Sequence, residues 1–342
     1  MHVLVTGGAG FIGSHAALRL LDEGWRVTVV DNLVRGHRQA ADALAGIGRD
    51  RFQFVHADLG DTDRVTEALR GVDLVMHFAA LAYVGESVDE PLRYYRANTA
   101  GTLALLEAMD RAGVRRLVFS STCATYGEPS PDRIPIAETC PQSPVNPYGR
   151  SKLMCEHIIR DWAAAHRRRA GSGSTGVGYA FLRYFNVAGS DAQGRVGEAH
   201  QPETHLIPIC LEVALGQRPA LSVFGDDWPT PDGTCIRDYV HVEDLVDAHV
   251  AVAGRVQSGT ELVYNVGTGK GASVREVLDA CRAVTGHPIP ATMGPRRAGD
   301  PPMLVNSPTA IETELGWRAK HTSLASMVEP AWRWRRAHPL GW

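Results

Sequence analysis

The chain has 342 residues, 44% apolar and 21% charged, proportions that supply a substantial buried core and exclude bulk disorder. That length suits one large α/β domain with an appendage, or two domains. Its 38 acidic and 35 basic residues leave a net charge of −3 with no long run of either sign, so the electrostatic footprint of a nucleic-acid or anionic-membrane binder is missing.

Strand-like residues begin directly after Met1 with no leader before them, and no stretch approaches about 18 consecutive apolar residues. A cytoplasmic chain without a membrane span is the expectation. Val3-Leu4-Val5-Thr6 reads as a strand ending in a glycine turn, and the spacing of Phe11, Ile12, Leu18 and Leu21 as the helix that follows. The alternation recurs. Residues 26–31 and 52–56 read as strands, Asp61 caps a helix to Leu69, and 74–78 reads as a fourth strand. A long helix over 98–111 leads to a fifth strand over 116–121. Beyond Pro147 a helix runs to about Arg168, followed by a sixth strand over 177–185. Arg167-Arg168-Arg169 and Gly171-Ser172-Gly173-Ser174 read as a solvated helix end and a flexible loop. Repeated strand–helix units predict a doubly wound parallel α/β sheet of the Rossmann type over residues 1–186. Residues 187–342 mix short strands (221–224, 262–266) with helices (206–215, 242–252, 274–284) and loops rich in Pro and Gly. They predict a smaller C-terminal α/β lobe that binds substrate, with some segments returning to the sheet.

The six cysteines, Cys123, Cys140, Cys155, Cys210, Cys235 and Cys281, form no C-x-x-C pair and read as reduced thiols. Among 14 histidines, His241 and His249 flank several acids, but their spacing matches no metal-ligand motif; a polar helix face and no metal are expected.

Gly8-Ala9-Gly10-Phe11-Ile12-Gly13 matches G-x-G-x-x-G, and Gly7 adds a second spacing on the same turn. Glycines between a strand and a helix let backbone N–H groups approach a pyrophosphate. Asp31, at the end of the second strand, can accept from a ribose 2′-hydroxyl and would repel a 2′-phosphate, which favours NAD over NADP; Arg35 nearby pulls the other way. Tyr148-Gly149-Arg150-Ser151-Lys152 places a phenol and an ammonium on one helix face. A tyrosine with a reference pKa of about 10 is a poor base at neutral pH, and a nearby cation favours its phenolate. With only three lysines and nine tyrosines in the chain, a chance Y-x-x-x-K is rare. Ser120-Ser121-Thr122 falls where the fifth strand ends, at the edge where open α/β sheets bind ligands, and Thr122 is the third candidate catalytic residue.

These motifs, with Asp31-Asn32, Asp58-Leu59, His77-Phe78-Ala79-Ala80, Val84-Gly85-Glu86-Ser87, Asn98, Leu182-Arg183-Tyr184-Phe185-Asn186, Asp232-Gly233-Thr234, Arg237-Asp238-Tyr239-Val240-His241 and Arg296-Arg297-Ala298-Gly299-Asp300, resemble the extended short-chain dehydrogenase/reductases over essentially the whole chain. Within them the likeness is strongest to the 4-epimerases that act on UDP-glucose and UDP-galactose.

The resemblance implies that Gly7, Gly10 and Gly13, with Phe11 and Ile12, carry the pyrophosphate of NAD, Asp31 with Asn32 the adenosine ribose, and Asp58 with Leu59 the adenine. Phe78, Ala79, Ala80 and Asn98 line the cofactor, with Tyr148, Lys152 and Phe185. Thr122, Tyr148, Phe185 and Asn186 meet the sugar and diphosphate. His205, Leu206, Phe224, Arg237, Tyr239, Arg297 and Asp300 hold the uridine diphosphate end, with Leu304 beside the sugar. Tyr148 acts as base on the 4-hydroxyl, Thr122 holds its oxygen, and Lys152 keeps the phenolate ionised. The resemblance also implies a homodimer joined through the helices over 98–111 and 147–166. Ala82, His205 and Leu304 depart from the commonest bacterial pattern, where lysine, asparagine and tyrosine stand, and bear on cofactor affinity and sugar choice. The 4-epimerases of UDP-N-acetylglucosamine, UDP-xylose/UDP-arabinose and UDP-glucuronate stay open, as does a catalytically silent NAD-binding relative. A 4,6-dehydratase needs an acid pair where Cys123 and Ala124 stand.

Overall fold

The structure, a computed structural model, describes residues 1–170, 176–297 and 300–342. The expected Gly171–Ser174 loop lies outside the described residues, as do Ala298 and Gly299. The first half alternates as its apolar spacing dictates: β1 (His2–Thr6), α1 (Phe11–Asp22), β2 (Arg26–Asp31), α2 (Arg38–Gly48), β3 (Phe52–His56), α3 (Thr62–Ala68) and β4 (Leu74–His77). Next come α4 (Val84–Asp89), α5 (Pro91–Tyr94), α6 (Gly101–Ala112), β5 (Arg116–Thr122), α7 (Pro147–Ala170) and β6 (Gly178–Tyr184). Asp61 caps α3 by accepting from the Arg64 N–H. Arg167, Arg168 and Arg169 are exposed in the last turn of α7, where positive charge suits the helix dipole.

The later elements are shorter: β7 (Asn186–Ala188), α8 (Leu206–Ala214), β8 (Leu221–Phe224), β9 (Ile236–His241), α9 (Val242–Ala253), β10 (Glu261–Val266), β11 (Gly271–Ser273) and α10 (Val274–Thr285). They end with β12 (Ala291–Gly294), β13 (Met303–Leu304), α11 (Thr309–Leu315) and α12 (Leu324–Ala337).

The chain divides into two units. The first comprises residues 1–127, 142–183 and 246–264, and the second 128–141, 184–245 and 265–342. Relative to a single cut at residue 186, the segment 128–141 joins the second unit and 246–264 the first. The first unit is built on a seven-stranded sheet in the order β10-β6-β5-β4-β1-β2-β3. Its β3-β2-β1-β4-β5 portion is parallel, with Val5 opposite Val29 on one side and Met76 on the other. Strand order reverses between β1 and β4, so the sheet is the doubly wound Rossmann type, with its switch point at the carboxyl ends of those two strands. Leu4, Val75, Phe119 and Phe181 on the strands are buried against Leu105, Met109 and Ile159 on the helices.

The second unit contains a four-stranded sheet, β11-β9-β13 with β7 also on β9, and a parallel pair, β12-β8. Tyr239, Ile207, Leu211, Val277 and Met327 form its core. Among the described residues no helix is long and apolar enough to cross a membrane.

Candidate active site

In the first unit the turn after β1 has a backbone only glycine can supply. Gly7 adopts φ +69°, and a Cβ there would meet the Ala79 nitrogen at 2.6 Å; a Cβ on Gly13 would meet the Gly7 carbonyl at 2.2 Å. Gly10 caps α1 in extended conformation without a side chain, leaving the first N–H groups of the helix to an outside anion. Asp31 accepts from the Ala9 N–H at 3.0 Å and the Leu33 N–H at 2.8 Å, so its carboxylate is fixed beside that turn. Asn32 donates to Asp58 at 2.7 Å, joining two expected cofactor residues at the ends of neighbouring strands. Arg35 engages Glu86 and lies over the Tyr83 ring at 4.7 Å. The cradle that a Cβ would fill, followed by a fixed carboxylate, fits a dinucleotide with a free 2′-hydroxyl.

At the end of β4, the Phe78 and Ala79 N–H groups bond to Thr6. His77 sits between the hydroxyls of Thr6 and Thr102, and burial lowers its pKa to about 3, so it is a neutral bridge. Beyond Ala80, Asn98 accepts from the Leu81 N–H at 2.8 Å and donates to the Leu81 carbonyl and the Ser151 hydroxyl, both at 3.0 Å. Asn98 thereby ties the segment after β4 to α7, beside Lys152. It lies in a π-helical stretch, Tyr95–Ala100, where a continuous α-helix was expected from Asn98 onward. Such a bulge re-aims side chains, and the bonds to Leu81 and Ser151 repay it.

Tyr148 and Lys152 both start from the first turns of α7. Tyr148 is buried with Leu81 and Tyr94. Lys152, 3% exposed, donates to the Ser120 carbonyl at 2.8 Å and lies over the Phe119 ring at 4.8 Å. Burial lowers its pKa to about 8. Two residues beyond Ser120, the Thr122 hydroxyl accepts from the Ala124 N–H at 3.1 Å, which leaves its own proton to donate. Helix α7 thus delivers the Y-x-x-x-K pair to the carboxyl end of β5.

Sequence reasoning assigned no role to the group that braces this end. Glu156, one turn after Lys152, accepts from Ser121 at 2.6 Å and from Arg183 at 2.9 and 2.7 Å, and Arg183 also donates to Tyr126 at 3.0 Å. The Arg183 partner holds the Glu156 carboxyl below its ordinary range against the opposing effect of burial. An acid in register with Tyr148 and Lys152 was the available signal. His249 is buried as well, bonded to Ser120 at 3.1 Å and packed on Phe78. His241, in the second unit, is buried and stacks on His321 at 4.1 Å. Neither forms the expected polar helix face.

In the second unit, Asn186 pairs with Tyr239 across β7 and β9, and Arg237 pairs with Leu304 across β9 and β13. The strand pairing brings four expected substrate residues together. Arg237 approaches Asp300 at 3.9 Å, and Arg297 lies over the half-exposed Phe224 ring at 4.4 Å. Phe185 is buried, its N–H donating to the Val266 carbonyl. His205 caps α8 and Leu206 opens it, packed against the core that contains Tyr239.

Residues 3–267 match the model of the NAD dependent epimerase/dehydratase family. The chain is 49% identical over its whole length to a UDP-glucose 4-epimerase of Halalkalibacterium halodurans, covering 98% of that protein. It is 50% identical to a probable UDP-arabinose 4-epimerase 3 of Oryza sativa subsp. japonica, covering 84% of it. A UDP-glucose-4-epimerase from Stenotrophomonas maltophila, solved with bound NAD and formylated UDP-arabinopyranose, superposes with a TM-score of 0.90 at 40% identity, covering 99% of each chain. A glycine cradle at the sheet's switch point, Y-x-x-x-K at the end of β5 and likeness along the full chain lead to one assignment: this chain belongs to the NAD dependent epimerase/dehydratase family.

Proposed function

We propose that this chain inverts the C4 hydroxyl of a UDP-sugar, with UDP-glucose and UDP-galactose as the substrate pair. The observation that carries the reading is Lys152, one helical turn after Tyr148, buried against the carbonyl of Ser120 at the end of β5, two residues before Thr122. When bound, NAD supplies the acceptor and then the donor of the C4 hydride. Tyr148 takes the proton of the 4-hydroxyl as the C4–H bond breaks, and returns it to the same oxygen once the 4-keto sugar has presented its other face. Thr122 donates to that oxygen. Lys152 favours the Tyr148 phenolate, and its burial strengthens that effect because charges interact more strongly in a low dielectric. Arg237 and Arg297 hold the diphosphate, whose oxygens suit planar guanidinium donors. Phe224 and Leu206 take the nucleoside end, and Leu304 faces the sugar.

The 50% identity to a plant protein named for UDP-arabinose favours a second reading, a UDP-xylose/UDP-arabinose 4-epimerase. Incubation with UDP-galactose, UDP-arabinopyranose, UDP-N-acetylglucosamine and UDP-glucuronate, with NMR detection of 4-epimers, separates them. The first reading expects the highest kcat/KM for UDP-galactose. A pentose preference of about tenfold, roughly 1.4 kcal/mol, selects the second, and no 4-epimer from any sugar overturns both.

We also propose a cytoplasmic homodimer. All six cysteines are buried, which suits thiols kept in a reducing compartment. Val88, Leu92, Leu103 and Met154 are exposed on α4, α5, α6 and α7, with Leu92 76% accessible. An apolar set on helices that pack together supports burial by a second copy. A solution mass of one chain at micromolar concentration would remove the dimer.

A further inference from the structure

The segment leading into α8 carries four metal-ligating side chains within eight residues: Glu198, His200, Glu203 and His205. We propose that these four side chains form a tetrahedral site for a divalent transition metal, with zinc the best-matched ion. None of the four is an acid–base residue of the proposed reaction, although His205 is also expected at the substrate's diphosphate.

The geometry carries the assignment. Each residue offers one ligand atom, and the four atoms lie within 4.8 Å of one another. His200 Nδ1 is 3.0 Å from Glu198 Oε1 and 3.7 Å from Glu203 Oε2. His205 Nδ1 is 3.4 Å from Glu198 Oε1 and 2.9 Å from Glu203 Oε1. Ligand bonds of about 2.0–2.1 Å at tetrahedral angles put neighbouring donors about 3.3–3.4 Å apart. The four His–Glu separations straddle that value; Glu203 meets the two histidines through different oxygens, so turning its carboxylate to present one oxygen to both, with small rotations of the rings, would complete the polyhedron. Two imidazoles and two carboxylates are also a donor set that zinc accepts.

The surroundings suit a cation. Glu198 and Glu203 are buried, and His200 and His205 partly so. One Glu203 oxygen is held by the Thr204 and His205 N–H groups, each at 2.8 Å. Such outer hydrogen bonds orient a carboxylate for a metal. The Glu198 backbone is tied in turn to the Trp334 indole at 3.2 Å. Because all four ligands belong to one short segment, closing the chelate orders little additional chain. The other cluster, His241, Glu243 and His321, compares poorly: its His–Glu separations are 3.9 and 4.0 Å, and His241 Nδ1 accepts from the Glu243 N–H.

The test uses the full-length protein stripped with a chelator and then titrated with zinc chloride and, separately, cobalt chloride. One equivalent of zinc should bind with sub-micromolar affinity, and cobalt should give the intense visible bands of a tetrahedral ion. His200→Asn should weaken zinc binding at least about 100-fold, since substitutions even outside the ligand shell lower affinity about 10–100-fold. His241→Gln should leave it unchanged. Circular dichroism and thermal melting check that the variants fold; Glu198→Gln replaces His200→Asn if the latter does not. Three results would overturn the site: under 0.1 equivalent of zinc bound at about 10 µM metal, octahedral cobalt bands, or zinc affinity equal in wild type and the folded ligand variant. The last would place the metal on cysteines or the second cluster. None of these readouts depends on turnover, so the epimerase reading stands or falls separately.

Discussion

The charged groups around β5 in the first unit and the arginines near the expected diphosphate residues of the second sit in opposite surroundings, although the second unit buries charges elsewhere, Asp238 and Asp244 among them. In the first, Lys152, Glu156 and Arg183 are almost wholly buried, each held by named partners around β5. In the second, Arg296 and Arg297 stand in solvent, stacked on Trp228 and Phe224. Proton transfer gains from the first arrangement, because a low dielectric strengthens every charge on the reacting oxygen. Recognition of a dianionic diphosphate needs the second, since an arginine buried before its anion arrives would lack a partner and oppose folding. Substitutions in the first unit should therefore act on kcat and stability, and those in the second on KM.

The sharpest way to break that contrast is Tyr148→Phe, which removes the proposed base and leaves the packing with Leu81 and Tyr94. Turnover should fall by about 10²–10⁴-fold, roughly 3–5.5 kcal/mol, with KM and melting temperature nearly unchanged. Near-normal turnover would remove Tyr148 from the chemistry.

Glu156→Gln comes next. It leaves Arg183 buried beside a neutral amide, and stability should drop by about 3–5 kcal/mol in denaturant titrations. A drop under about 1 kcal/mol, the size of a surface pair, would show that this end of β5 is solvated after all.

Lys152→Met sharpens the comparison by separating activity from stability. The folded-state pKa of Lys152, about 8, lies below the ordinary 10.5. Below about pH 8 the ammonium is charged in both states and its burial opposes folding in full. Between about 8 and 10.5 the folded chain gives up the proton while the unfolded chain keeps it, so the penalty fades as pH rises. The variant should thus lose activity yet be more stable at pH 7 by about 1–3 kcal/mol, the lost bond to the Ser120 carbonyl offsetting part of the gain. That advantage should shrink as pH rises from 8 to 10. An advantage that grows across this range would contradict the burial of the charge.

In the second unit, Arg237→Ala should raise KM by about 10–100-fold, roughly 1.5–3 kcal/mol, and leave kcat within about threefold. A fall in kcat without a change in KM would erase the distinction between the units. The smallest effect is expected at Leu304, which is less bulky than the tyrosine of the commonest pattern. Wild type should turn over UDP-N-acetylglucosamine weakly, and Leu304→Tyr should lower that kcat/KM by about tenfold or more while UDP-galactose stays within about threefold. Absent N-acetyl turnover in the wild type, or turnover indifferent to Leu304→Tyr, would detach this position from sugar choice.

Much of the first unit could be read from local signals. The strands over 26–31 and 52–56 fall where apolar runs between turn residues put them. Asp61 caps its helix because a carboxylate can satisfy a first-turn N–H nearby in the chain. The glycine turn was legible for a similar reason: positive φ and close backbone approach exclude other residues. The π-helical stretch around Asn98 was not legible, because the bonds that stabilise it reach Leu81 and Ser151, 17 and 53 residues away. The histidines misled for the same reason. Their spacing suggested a polar face, while Ser120, 129 residues from His249, turned one of them inward.

By itself, then, the sequence determined the strand–helix alternation, the cofactor turn and the Y-x-x-x-K pair, each specified by side chains a few residues apart. Tertiary structure alone decided how a buried Lys152 is held at β5, which arginine balances Glu156, and that Asn186, Tyr239, Arg237 and Leu304 meet on neighbouring strands. It also set the His–Glu separations around Glu198 and Glu203. The physical reason is range: backbone propensity and capping act within about one helical turn, whereas burial, ion pairing and strand register depend on which distant segments the packed core brings together.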